Sequence, residues 1–390
     1  MFTQYAHKLL APVLAICLFA AAKHGVADDE RIIQSEKQTF TLSTVASGFG
    51  IPWAMAFLPN GDLLVTDRGG ELRTIRDDQL LPEPVAGVPK VITGGQGGLL
   101  DLELHPQYDS NGWIYLSYVS PKLKGESGRG GNTALMRARL QGNALVDQQL
   151  VFKAQPNYSS KRHYGGRIAF DADNHVYLTV GDRGNRDKVQ TLTNYLGKVY
   201  RLHDDGRVPD DNPFVKSKDA VTATWSYGHR NPQGMAVHPQ TGDLWVHEHG
   251  PRGGDELNLI SGGKNYGWPS ITYGVNYSGT TITDEQARDG MEQPIVYWVP
   301  SIAPSGMSFI DSEKFPAWRQ NILVGSLKFA QVRRLEMDGN QVVHEETLLD
   351  GIGRVRAIEQ GPDGDIYIAC LLYTSPSPRD LSTSRMPSSA

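Results

Sequence analysis

The stretch RIAFDADNHVYLTVGDRG, residues 167–184, decides how this chain folds. Two apolar runs, Ile168 to Phe170 and Val176 to Val180, flank a polar turn of Asp171 to Asn174. That order predicts an antiparallel β-hairpin. The same plan recurs in AMAFLPNGDLLVTDRGGEL (54–72), LLDLELHPQYDSNGWIYLSYV (99–119), GMAVHPQTGDLWVHEHG (234–250) and AIEQGPDGDIYIA (357–369). A looser copy is FPAWRQNILVGSLKFAQVRRLEMDG (315–339). The copies follow one another at roughly 45 to 80 residues, the spacing of four-stranded blades with loop insertions. Few segments keep a helical period for more than two turns. The sequence therefore predicts an all-β chain, a six-bladed β-propeller with loop insertions. A β-sandwich would not account for six similar units. The run 38–46, QTFTLSTVA, is expected to supply an N-terminal strand to the last blade.

The ends of the chain read differently from its body. Lys8 precedes an apolar run from Leu9 to Ala22, followed by small residues at Gly25 and Ala27. Residues 1–27 are read as a secretory signal peptide, too short to persist as a comfortable membrane span. The mature protein is then expected in the periplasm or secreted, without stable membrane insertion. Residues 28–369 form the propeller. Residues 370–390, rich in Ser, Thr, Pro and Arg, resemble a translated adapter tail and carry no strand pattern. The only cysteines are Cys17 and Cys370, so the body has no disulfide framework. A formal net charge of −5 without long runs of one sign gives no footprint for nucleic acid.

Residues equidistant from a hairpin turn face each other. Counting outward from Asp171–Asn174 places His163 opposite Asp182, within one residue if a bulge intervenes. A carboxylate beside an imidazole fixes its tautomer and raises its basicity, as a general base requires. The same count sets Arg230 and Asn231 opposite Pro251 and Gly250. Gln96, Arg354 and Arg356 fall at the corresponding ends of their own hairpins. In a propeller those ends share one face, where a central ligand pocket forms.

GGQGGLLDLELHP, RHYGGRIAF, YGHRNPQGMAVHP, EHGPRGGDELNLISGGKNYGWP, PSIAPSGM, GSLK and RVRAIEQGPDGDIY resemble the pyrroloquinoline-quinone (PQQ) dependent soluble aldose sugar dehydrogenases, relatives of the soluble glucose dehydrogenases. The resemblance runs over about residues 40–368 and implies the same six-bladed propeller. It implies His163 as general base, Asp182 as its orienting carboxylate and Gln96 as a contact to a sugar hydroxyl. It implies a PQQ clamp of Arg230, Asn231, Ser301, Lys328, Arg354 and Arg356. The main-chain carbonyls of Gly250 and Pro251 resemble ligands of the calcium ion that touches PQQ, and Glu256 with the Tyr266 carbonyl resembles a second, structural calcium site. The chemistry agrees with these roles: a tricarboxylate cofactor suits arginine and lysine, and calcium suits hard oxygen ligands. The implied reaction is oxidation of the C1 hydroxyl of an aldose to the lactone by hydride transfer to PQQ.

Three features depart from the glucose enzymes. Arg162 stands where they carry an aspartate, and VYWVPSIAPSG lacks their aromatic pair, so broad aldose use fits better than glucose specificity. The tail begins beside the partners of Arg354 and Arg356, so the last blade is expected to be incomplete. The other readings are a non-catalytic sugar- or protein-binding propeller and a calcium-dependent sugar lactonase. The sequence does not assign the preferred sugar or the electron acceptor.

Overall fold

Strands flanked on both sides by other sheets need apolar residues on both faces. The second strand of each repeat meets that need. Leu63–Asp67, Val176–Val180, Leu244–Glu248 and Ile322–Ser326 are buried at every position. A computed structural model describes residues 30–371 and, before them, the backbone of two short strands, Val13–Ala15 and Cys17–Ala20. The rest of the expected leader, and the tail beyond Leu371, lie outside the described residues. Among the described residues no helix is long and apolar enough to cross a membrane.

Five sheets are four-stranded antiparallel meanders, where the repeat count predicts six blades. The first is Pro52–Phe57, Leu63–Asp67, Glu71–Arg76 and Gln79–Leu80. The second is Leu99–Leu104, Trp113–Pro121, Gly131–Gln141 and Ala144–Lys153. The third is Ile168–Phe170, Val176–Val180, Lys198–Leu202 and Thr224–Tyr227. The fourth is Pro232–Val237, Leu244–Glu248, Asp255–Ile260 and Val296–Trp298. The fifth is Pro304–Phe309, Ile322–Ser326, Gln331–Asp338 and Gln341–Leu348. The hairpin Arg354–Gln360 and Ile366–Leu371 holds the remaining place but breaks the plan. Its outer edge is extended by Cys17–Ala20 and then Ser47–Phe49, each added in parallel.

This corrects the expected N-terminal strand. Thr39–Ser43 does form a strand, but it pairs with Arg31–Gln34 and Val13–Ala15 in a separate sheet. Its buried Phe40 and Leu42 pack instead on Phe315, Trp318, Ile352 and Val355. Burying those two large side chains stabilises that position.

First strands of successive sheets touch in a ring, and Arg354–Gln360 against Pro52–Phe57 closes it. A hydrophobic layer fills each gap. Trp113, Ile168 and Leu178 lie between the second and third blades, and Trp245, Phe309 and Val324 between the fourth and fifth.

Every inner hairpin shifts register by one residue near its loop end. Pairing runs Pro52↔Asp67 then Ala54↔Thr66, and Pro232↔Glu248 then Gly234↔His247. It runs Val355↔Cys370 then Ala357↔Ala369 in the last hairpin. In the third blade Gly166 N donates to Thr179 O (2.8 Å) while Thr179 N donates to Arg167 O (3.0 Å), two residues against one. These are β-bulges, which re-aim a side chain. A hydroxyl on the facing strand accepts the displaced N–H in three of them: Thr66 from Ala54 (3.0 Å), Ser117 from Asp101 (3.0 Å), Thr179 from Arg167 (2.9 Å). Thr66 and Ser117 then donate to Leu100 O and Gly166 O, stitching each blade to the next.

Candidate active site

The bulges turn Trp53, Asp101, Arg167, Gln233 and Arg356 toward one another. Trp53 is sandwiched between two guanidiniums, Arg167 and Arg356, each 4.1 Å from its ring centre. Asp101 neutralises Arg167 at 3.0 Å. Arg356 receives no carboxylate among the described residues; its Nη2 donates to Gln233 Oε1 at 3.0 Å, and its buried Nε has no partner. Burial, then the charges of Arg167 and Arg68, push its proton affinity well below the ordinary arginine value. A buried cation in that condition favours an anion.

His163 sits on the loop end of the third blade. The bulge at Gly166 and Arg167 restores the count that sets it opposite Asp182. Its Nδ1 donates to Asp182 Oδ1 at 2.7 Å, and its backbone N–H donates to Gln96 Oε1 at 2.6 Å. Asp182, 1% exposed, also accepts from Gly184 N (2.6 Å) and from Trp268 Nε1 (2.9 Å). Burial alone would raise the Asp182 carboxyl, but its bond to His163 and the charges of His163 and Arg230 hold it below the ordinary value. Burial lowers His163, Asp182 opposes this, and Arg230 and Arg162 add to the lowering. With Nδ1 carrying the proton, Nε2 keeps a free electron pair for an incoming hydroxyl. His249, another imidazole near Arg230, donates Nε2–H to Pro304 O at 2.6 Å and is pushed down to about 3, chiefly by burial. It is too weak a base for the task near neutrality.

Arg230 donates through Nη1 to His249 O (2.9 Å) and Gly250 O (2.8 Å), with its guanidinium 5.3 Å from the Trp268 ring. Its backbone N–H donates to the buried Glu248 carboxylate, whose other oxygen holds His229 Nδ1 at 2.9 Å. Asn231 Oδ1 accepts from Gly165 N (3.3 Å) and Gln233 Nε2 (3.3 Å), leaving Asn231 Nδ2 without a protein partner among the described residues. Gln96, His163, Asp182, Arg230, Asn231 and Gly250 are thus linked by direct bonds or one shared neighbour.

The remaining expected residues are placed less uniformly. The Ser301 hydroxyl donates to Asp255 Oδ2 at 2.7 Å, so its proton is committed to a carboxylate. Arg354 is half-buried beside Arg356. Lys328 is exposed, with Nζ 5.1 Å from the Phe329 ring, and shows no bond to the other candidates. Pro251 is buried next to Gly250. Glu256 faces Glu248 directly across the strand pair and lines one small cavity with Glu248, Gly250, Trp268 and Thr272. Burial, then the Glu248 charge, raise Glu256 well above the ordinary carboxylate range. The Tyr266 ring stacks on His229 at 4.8 Å, and its hydroxyl donates to Leu259 O at 2.7 Å; among the described residues no hydrogen bond joins it to Glu256. Among the described residues no group of three or more His, Cys, Asp or Glu side chains gathers for a metal.

Several residues of the site are not identified by counting along hairpins. Asp255, fully buried, accepts from Gly250 N (2.8 Å), Ile302 N (2.8 Å) and Ala303 N (2.9 Å) besides Ser301, and so fixes the loop that carries Gly250. Trp268 reaches Asp182 from 86 residues away. Trp53, Arg167 and Glu248 are likewise visible only once the blades close. The one signal for Trp268 is its place in the motif NYGWP.

Residues 49–371 match the family described as glucose/sorbosone dehydrogenase. The chain is 44% identical over 323 residues to the aldose sugar dehydrogenase YliI of Escherichia coli, covering 81% of this chain and 86% of that one. The apo crystal structure of the soluble aldose sugar dehydrogenase of Escherichia coli superposes with a TM-score of 0.77 at 42% identity, over 82% of this chain and 92% of that one. The PQQ-bound aldose sugar dehydrogenase of Streptomyces coelicolor gives 0.68 at 27% identity, over 88% and 92%. On the family match and the extent of these likenesses, the chain belongs to the glucose/sorbosone dehydrogenase family.

Proposed function

We propose that this protein oxidises the C1 hydroxyl of aldose sugars to the lactone, with PQQ and calcium as its cofactors and His163 as the general base. The observation that carries the reading is the pairing of a carboxylate-held imidazole, His163 with Asp182, with two buried arginines, Arg230 and Arg356, whose guanidiniums form no ion pair with a carboxylate among the described residues. The residues suit the cofactor: PQQ is a tricarboxylate, the buried Arg356 Nε is an orphaned donor, and Asn231 Nδ2 makes no hydrogen bond among the described residues. Arg230, Asn231, Ser301, Lys328, Arg354 and Arg356 would hold it. Bound PQQ supplies an electrophilic quinone that takes a hydride from the sugar. The carbonyls of Gly250 and Pro251 are hard oxygen donors suited to the calcium ion beside the cofactor. Glu256, whose proton affinity is raised by burial and by the Glu248 charge, would gain from a cation; with the Tyr266 carbonyl it is the proposed second calcium site.

In this scheme His163 Nε2 receives the proton of the C1 hydroxyl. Asp182 keeps Nδ1–H in place and stabilises the imidazolium. Gln96, bonded to the His163 backbone, offers its amide nitrogen to a sugar hydroxyl. Such bases contribute about 10²–10⁴-fold. We also propose that the hairpin of Arg354–Gln360 and Ile366–Leu371 is the family's sixth blade, and that the leader directs export to the periplasm or beyond.

The test is reconstitution of the protein with PQQ and calcium, followed by aldose-dependent reduction of an artificial dye. Turnover that requires both additions is the expected result. Sugar binding without dye reduction would favour the binding-propeller reading. Lactone hydrolysis that needs calcium alone would favour the lactonase.

A further inference from the structure

Trp268 lies in a long segment inserted between the third and fourth strands of the fourth blade, residues 261–295. The segment returns over the loop face and is pinned there by backbone bonds. Tyr266 N donates to Tyr227 O (2.8 Å) and Trp268 N to Gly228 O (2.9 Å). Gln190 Nε2 donates to Trp268 O (2.7 Å). The side chain is 7% exposed. One edge of the indole meets Asp182 Oδ2 at 2.9 Å, and its ring lies 5.3 Å from the Arg230 guanidinium. One side chain therefore touches both the carboxylate behind the base and an arginine of the anion site.

We propose that Trp268 is a positioning residue for proton transfer: its indole N–H anchors Asp182 Oδ2, so that Oδ1 is presented to His163 Nδ1. This rests on the reading of His163 and Asp182 as base and orienting carboxylate. Among the described residues the two oxygens of Asp182 meet three donors: His163 and Gly184 share Oδ1, and only Trp268 holds Oδ2. Without that third bond the carboxylate can rotate about its terminal torsion, which is broad for aspartate. Its charge would also concentrate on the imidazole. The other charged or titratable groups facing His163 are Arg230, Arg162 and His249, none of which bonds the Asp182 carboxylate among the described residues. Removing the indole donor should therefore raise the proton affinity of His163.

The variant is Trp268→Phe, which keeps an aromatic face for Arg230 and loses the donor together with part of the ring volume. In the full-length, cofactor-free chain, the His163 ring resonance is expected to titrate about half to one pH unit higher than in the unaltered protein. In the protein reconstituted with PQQ and calcium, the acid limb of kcat/KM should move up by the same amount, with KM changed less than kcat. A second measurement needs no variant. Of the seven tryptophans, one indole ¹H–¹⁵N cross-peak should titrate with the His163 midpoint. An unmoved His163 midpoint in Trp268→Phe, or seven indole peaks that ignore that midpoint, would overturn the proposal. If the resonances behave as expected but reconstitution gives no dehydrogenase activity, the coupling stands and the functional reading fails.

Discussion

At His163 the backbone adopts φ 55°, in the left-handed region that a non-glycine residue seldom occupies. Strain of that kind persists where the surroundings over-determine it. Here the Gln96 and Asp182 bonds do so, one on the backbone and one on the ring. The lowered proton affinity of His163 has a direct kinetic consequence. The base must be neutral to accept a proton, so activity is lost as pH falls through its folded value. Because that value lies below the ordinary 6.5, the acid limb of kcat/KM is expected below pH 6.5. A limb above that value in the reconstituted enzyme would contradict this. Asp182→Asn keeps the shape but permits the wrong tautomer, and kcat should fall by about 10²–10⁴-fold with the fold intact by circular dichroism.

At the scale of the strand pair, the repeated bulge is what converts a hairpin into part of a site. Thr179 accepts the Arg167 N–H that the bulge displaces. Thr179→Val would leave that buried donor unsatisfied, at a cost of about 1–3 kcal/mol, measured as a lower denaturation midpoint. The strands themselves were legible from apolar runs and turn residues. The pairing of His163 with Asp182 was legible too, although for a reason the count did not contain. The turn after Phe170 places Asn174 at φ 65° and carries one more residue than counted, so Phe170 pairs with Val176. The bulge at Gly166 and Arg167 then cancels the slip. A bulge has no one-residue signature in sequence, because it is set by how the facing hydroxyl and the next blade take up the extra N–H. Trp268 was opaque for a related reason: it reaches Asp182 through an insertion whose path depends on tertiary contacts.

For the whole molecule, closing the ring matters more than any one blade. The repeats pointed to a propeller, and the ring of inner strands is its outcome, with five full blades and a last hairpin of different plan. What periodicity could not reveal is which segment completes that hairpin, since short apolar strands are interchangeable until packing selects among them. The pairing of Cys17–Ala20 with Ile366–Leu371 covers an otherwise open edge in the uncleaved chain, and removal of the proposed leader would take that strand away. A chain starting at residue 28 is therefore expected to melt a few degrees lower than the uncleaved one and to associate more readily, checked by calorimetry and light scattering. Closure also assembles the axial stack, because Trp53, Arg167 and Arg356 come from the first, third and last sheets. Trp53→Leu removes the face that holds Arg356 and should weaken PQQ binding by about 3- to 30-fold in a fluorescence titration, with melting changed little beyond the lost packing.

The most direct test of the central claim is the single-turnover reduction of bound PQQ by an aldose, followed by absorbance in the unaltered protein and in His163→Ala. The account predicts PQQ affinity unchanged and a reduction rate about 10²–10⁴-fold lower in the variant. Reduction at the full rate without His163 would contradict it.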